Sequence, residues 1–245
     1  MAENPQQQQS PPTDPTPPLK RWLLAAWREL RPILIIIAVL TTLRSAAADW
    51  YNVPTGSMKP SILEGDRIFV NKMAYALRFP LTDWRMLEFS GPRRGEIVVF
   101  YSPKNHERLV KRVIGLPGET VELRDNHLII DGRELTYSEA PGDWLSDLAV
   151  SDRGGRHILE EQLGGVTHPV IDTPERPSMR NFPPIQVPQN QYLLMGDNRD
   201  ESADSRFFGF VPRELIAGRA LAVLWSMDAE AWYLPRWSRF FKKLP

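Results

Sequence analysis

The chain has 245 residues with 30 basic and 30 acidic side chains, so its formal charge is zero, and it contains no cysteine and 4 histidines. A balanced charge argues against a nucleic-acid binder, which needs a basic excess to displace counterions from phosphate. The missing thiols exclude disulfides, a thiol nucleophile and cysteine-ligated metals, and no histidine pair has zincin spacing.

Residues 1–18 are rich in Gln and Pro and cannot bury enough apolar surface to order themselves, so a disordered tail is expected. Lys20, Arg21, Arg28 and Arg31 follow, completing a basic flank over 1–31. The apolar run from Pro32 to Ala48 would extend about 26 Å as a helix at 1.5 Å per residue, the lower limit for a bilayer. A core helix and a cleaved leader ending at Ala46-Ala47-Ala48 are the competing readings. The long leader, and Arg44 between the strongly apolar residues ending at Leu43 and the cleavage-like site, favour an anchor over residues 32–50. The preceding basic residues put the N-terminus in the cytoplasm and the remainder outside.

Beyond Trp50 the pattern becomes β. Arg67–Asn71, Glu96–Tyr101, Arg108–Ile114, Thr120–Arg124, His127–Ile130, Gln191–Met195 and Ala217–Trp225 are short, β-branched runs bounded by Gly, Pro, Asp or Asn. Asp125-Asn126 and Asp131-Gly132 predict turns. Residues 141–188 show weak periodicity and read as loops and short strands. The end, 227–245, interleaves aromatic and basic residues. That composition suits a membrane interface, or a short terminal element on the core.

Three segments carry candidate chemistry. Ser57 lies in Pro54-Thr-Gly-Ser-Met-Lys-Pro60, with Gly56 allowing close backbone approach and prolines on both flanks. A lone serine needs a base. The four histidines sit in polar or turn-like stretches without a G-x-S-x-G elbow. Lys111 shares a strand face with Leu109 and Val113 by alternation, a setting that strips an ammonium of hydration; a snorkelling surface lysine is the plainer alternative. The segment from Met195 to Gly209 is dense in Asp, yet lacks an EF-hand ligand pattern.

Together these segments resemble bacterial type I signal peptidases. The family's P-S-G-S-M-x-P-T reads here as Pro54-Thr-Gly-Ser-Met-Lys-Pro-Ser61. Its G-D-x-[IL]-x-V-x-K reads as Gly65–Lys72 and its R-G-D-[IV]-V-V-F as Arg94–Phe100. K-R-x-[IV]-G-L-P-G-D reads as Lys111–Glu119, and G-D-N-R-D-x-S-x-D-S-R-x-[WFY]-G as Gly196–Gly209. Thr55, Ser61 and Glu119 depart from the usual Ser, Thr and Asp.

The resemblance implies a mainly β fold: an antiparallel catalytic core over 51–132 and 189–226, an inserted β-rich cap over 133–188, and one N-terminal transmembrane helix. It implies Ser57 as nucleophile and Lys111 as general base. The Ser57 N–H and the Thr55 hydroxyl would form the oxyanion hole, Ser202 would hydrogen-bond the Lys111 amine, and Asp204 and Arg206 would form a supporting ion pair. Val53, Met58 and Val110 would line pockets for small residues. The expected activity is removal of signal peptides from secreted preproteins after Ala-x-Ala-like residues, at the outer face of the plasma membrane. The expected partners are preproteins and the lipid bilayer, with no nucleic acid, cofactor or metal. A relative maturing one dedicated substrate and a silent tethered β-domain are the rival readings.

Overall fold

The computed structural model describes residues 18–78, 84–142, 144, 147–148, 154–228 and 231–245; the side chains of 18, 19, 21 and 43–46 are not among them. The expected disordered tail therefore lies almost wholly outside the described residues. The chain divides into two compact units, Met1–Leu43 and Arg44–Pro245.

Helix α1 spans Pro18–Ala47 with Pro32 inside it. Ile33 to Ile37 are all exposed, as are Trp22, Trp27 and Leu40. No helix among the described residues is long and apolar enough to cross a membrane. The apolar stretch 32–43 is bounded by Arg31 on one side and Arg44 on the other. Residues 48–50, expected at the end of an anchor, instead begin a strand at Ala48.

In the second unit the strands are β1 (Ala48–Asn52), β2 (Asp66–Asn71), β3 (Ala76–Arg78), β4 (Arg85–Glu88), β5 (Ile97–Tyr101), β6 (Arg108–Gly115), β7 (Thr120–Arg124), β8 (His127–Ile130) and β9 (Arg133–Glu134). They continue with β10 (Thr136–Glu139), β11 (His157–Leu163), β12 (Val166–Asp172), β13 (Phe182–Gln186), β14 (Gln191–Met195), β15 (Val211–Pro212), β16 (Ile216–Asp228) and β17 (Leu234–Pro235). The main sheet runs β1-β2-β16-β5-β6-β14-β15, with β17 on β16; β13-β7-β8-β9, β10-β11-β12 and β3-β4 form three smaller sheets. The strand pairs are antiparallel.

Each predicted run becomes a strand, and Asp125 and Asn126 both take positive φ, 46° and 63°, the turn that a two-residue hairpin needs. Alternation along β5 serves two cores: Ile97 and Val99 pack with Val53, Met58, Ile68 and Val70, while Val98 and Phe100 pack with Val113 and Leu194. β16 pairs β5 through its first residues and β2 through the rest, with register shifts that curl it around the sheet.

Region 133–188 supplies β9 and β13, which flank the β7–β8 hairpin, and β10–β12, which form a separate sheet. It is tied back by Ile171, whose N–H donates to the Asp197 carbonyl at 2.8 Å. The C-terminal stretch is docked on the core. Arg239 is fully buried, bonded to Asp66 at 2.7 Å and to Asp147 at 2.9 Å.

Candidate active site

Ser57 sits in a single 3-10 turn, Gly56–Met58, entered from extended backbone at Thr55. Its position is fixed from the far end of the sequence. Asn198 donates from its N–H to the Ser57 carbonyl at 3.2 Å and from its side-chain amide to the Gly56 carbonyl at 3.1 Å. Asn198 itself is fully buried. The reason for Gly56 also becomes specific. A Cβ there would meet Glu64 Oε1 at 2.5 Å and Lys59 Cε at 2.8 Å, atoms of an ion pair that closes at 2.8 Å beneath the turn.

Lys111 lies on β6 opposite Val98 and is 2% exposed. Its Nζ donates a hydrogen bond to Oγ of Ser57. Burial pushes its pKa down from 10.5 to about 8, against the raising influence of Asp204 and Asp197 and with a small lowering push from Arg206. The amine thus reaches its neutral form near physiological pH, and the snorkelling alternative is excluded by its burial.

Asp204 and Arg206 pair bidentately, both contacts at 2.8 Å, and Asp204 also receives the Gly196 N–H at 3.1 Å. The expected bond between Ser202 and the Lys111 amine is not made. Ser202 is buried, its Oγ has no hydrogen-bond partner among the described residues, and it packs in the space left by the absent side chain of Gly196. The Lys111 amine is directed at Ser57 instead.

A cleft of about 320 Å³ opens beside the pair, between β1 and the first half of β6. Val53, Met58 and Val110 line it, with Thr55 at the same wall. Val53 and Met58 are buried and Val110 packs against them, so the pocket is shallow and apolar. The Thr55 hydroxyl makes no capping bond, and the residue is exposed. Among the described residues β14 pairs β6 only from Arg112 onward and β1 pairs only β2, so two strand edges face the cleft.

Sequence reasoning missed the layer behind this site. His168, expected in a polar or turn-like stretch, is fully buried on β12, with Nε2 3.2 Å from Glu161 and Nδ1 3.7 Å from Asp197. Asp197 in turn takes two bonds from Arg112, at 2.8 and 2.7 Å, and Glu161 takes one from Arg199 at 2.7 Å. Burial works to raise the Asp197 carboxyl, but Arg112, together with His168 and Ser61, holds the group low. Density of charge in the 196–209 segment was the available signal; the partners lie on strands far away in sequence. Asp200 is likewise committed, to Asn126, Thr173 and Arg180. Among the described residues no group of three acidic or histidine side chains is arranged to hold a metal.

The profile described as Signal peptidase, peptidase S26 matches residues 26–225. Signal peptidase I of Pseudomonas fluorescens is 36% identical, over 85% of this chain and 75% of its own length. That of Leptolyngbya laminosa is 29% identical over 90% of each. A crystal structure of a signal peptidase I from Enterococcus faecalis is 32% identical, covering 54% of this chain and 98% of that one, with a TM-score of 0.34.

Proposed function

The chain belongs to the signal peptidase family, peptidase S26, and from that premise we propose how its residues remove signal peptides. The observation that carries the reading is the hydrogen bond between Ser57 and a lysine that is 2% exposed. Lys111, neutral, takes the Ser57 proton as Oγ attacks the scissile carbonyl. The oxyanion is received by the Ser57 N–H and the Thr55 hydroxyl. The lysine then returns its proton to the departing amine, and a water repeats the sequence on the acyl-enzyme. Asp204, paired with Arg206, anchors Gly196 and biases the charge on Lys111, and Ser202 supplies a buried hydroxyl behind Ser57.

An extended substrate fits between the free edges of β1 and β6, adding main-chain hydrogen bonds to the sheet. Small residues fill the pocket of Val53, Met58 and Val110, and larger ones are rejected by volume. This matches Ala-x-Ala-like sites in secreted preproteins.

Anchoring belongs to the same proposal. The exposed run Ile33–Ile37 on α1 supports lipid contact, and the basic residues before it support a cytoplasmic N-terminus with catalysis at the outer face of the inner membrane. The exposed Trp232, Tyr233, Trp237 and Phe241 suit the interface. In this reading 51–132 and 189–226 form the catalytic core, 133–188 the cap, and neither metal nor cofactor takes part.

The test is cleavage of several unrelated preproteins by the purified chain, with mass spectrometry of the new N-termini. Cuts after Ala-x-Ala in all of them, abolished in Ser57→Ala, are expected. Cleavage of a single preprotein would favour a dedicated maturase. No cleavage by a folded chain would overturn the reading.

A further inference from the structure

The end of the cleft away from Ser57 is built from charge and rings. Arg108, the first residue of β6, lays its guanidinium over the Tyr51 ring of β1 at 4.2 Å and over the Tyr101 ring of β5 at 5.8 Å. Tyr51 and Arg108 both line the cleft, so this contact joins its two walls. Tyr51 shares its face of β1 with Asp49, two residues before it, which Lys72 holds at 3.3 Å. Asp49 is thus engaged by Lys72. Glu107 is the other carboxylate at this end and also lines the cleft. Among the described residues Arg108 has no ion pair of its own, and it is exposed. A guanidinium drawn over a ring by cation–π attraction gives up part of its freedom before binding, and its N–H donors remain able to meet an acceptor.

We infer that Arg108 and Tyr51 form a substrate subsite that takes a carboxylate side chain ahead of the small residues and turns away a cationic one. The inference rests on the endopeptidase reading above. The position follows from strand geometry. Arg108 lies two residues from Val110 on the same strand, one full period of its alternation. A substrate strand of equal rise that sets its third residue before the cut against Val110 sets its fifth against Arg108. The subsite is solvated, so its preference is electrostatic and should weaken with salt.

The test uses the full chain in detergent and peptides that share one Ala-x-Ala site and differ only in Glu, Gln or Lys at the fourth, fifth or sixth residue before the cut. Two readouts are taken: kcat/KM for the wild type, and peptide affinity for Ser57→Ala. Glu at the fifth position should exceed Lys by roughly tenfold in both. Arg108→Ala should bring the ratio to within about twofold, Arg108→Glu should invert it, and Arg108→Lys should retain part of it. A Glu-to-Lys ratio unchanged in Arg108→Glu, or equal affinity for both peptides, would overturn the subsite. Binding preference without cleavage by the wild type would support the subsite and count against the peptidase chemistry; cleavage without preference would do the reverse.

Discussion

The Nζ of Lys111 donates to the Oγ of Ser57 across 54 positions of sequence. The contact places the amine where, once neutral, it can accept the hydroxyl proton, so protonation of one buried group sets activity. With the Lys111 pKa lowered to about 8, activity should rise with pH through a midpoint near 8, more than two units below a free lysine. Lys111→Arg should be as inactive as Lys111→Ala, down by at least about 10³ in kcat, because guanidinium does not give up its proton. Peptide cleavage from pH 6 to 10 measures both; turnover of Lys111→Arg within tenfold of wild type would remove Lys111 as base.

The same burial has a stability consequence. The folded pKa lies below the unfolded one, so the unfolded chain binds more protons between about pH 8 and 10.5, and stability should increase with pH across that window. Below it the cost of burying the charged amine is fully present, on the order of 3 kcal/mol. Lys111→Met should therefore be inactive yet more resistant to urea at pH 7 than the wild type. Equal or lower resistance would contradict the burial argument.

Thr55 offers a hydroxyl without a capping partner at the cleft wall. Thr55→Val, which keeps the shape and removes the donor, should lose about 10²–10³ in kcat, whereas Thr55→Ser should stay near wild type. Retention of a third of the activity by Thr55→Val would exclude the hydroxyl from the oxyanion hole.

Asn198 holds two carbonyls of the nucleophile turn, those of Gly56 and Ser57. Asn198→Asp removes the amide donor at nearly constant volume and should lower kcat by about tenfold to a hundredfold with KM little changed, since the turn loses alignment and the apolar pocket stays. A rise in KM alone would place its effect on binding instead.

Asp197, Asp200 and Asp204 are each matched to a different arginine, Arg112, Arg180 and Arg206. Chelator should leave peptide cleavage unchanged at any added divalent ion; loss restored by one ion would reverse the assignment.

A chain starting near Arg44 should still cut peptides and should lose efficiency on membrane-bound preproteins, where the anchor supplies local concentration. A start at residue 51 should do worse on both substrates, because it removes Ala48–Trp50 of β1, which pair with Asn71, Val70 and Phe69. Comparing the two truncations on soluble peptide separates the strand from the anchor.

Much of this protein was legible in the residues themselves. β-branched runs and the Asp125-Asn126 pair specify strands and a hairpin because alternation and positive φ are local properties. Ser57 and Lys111 were legible as candidates, one in a glycine-containing turn between prolines and one on an apolar strand face, while the roles of Asp204 and Arg206 came only with the family resemblance. Ser202 was misplaced, since a hydroxyl's partner depends on angles that spacing does not encode. His168 sat in a stretch that read as polar or turn-like, and Arg239 in an aromatic–basic tail that suited a membrane interface. Only the tertiary structure buried them, because their partners Glu161, Asp197, Asp66 and Asp147 come from other strands and loops, and a buried charge is tolerated only where such partners converge. The pKa of Lys111 was decided in the same way. Its direction followed from an apolar strand, but its size depends on how completely the surrounding sheets exclude water, which is a property of packing and not of sequence.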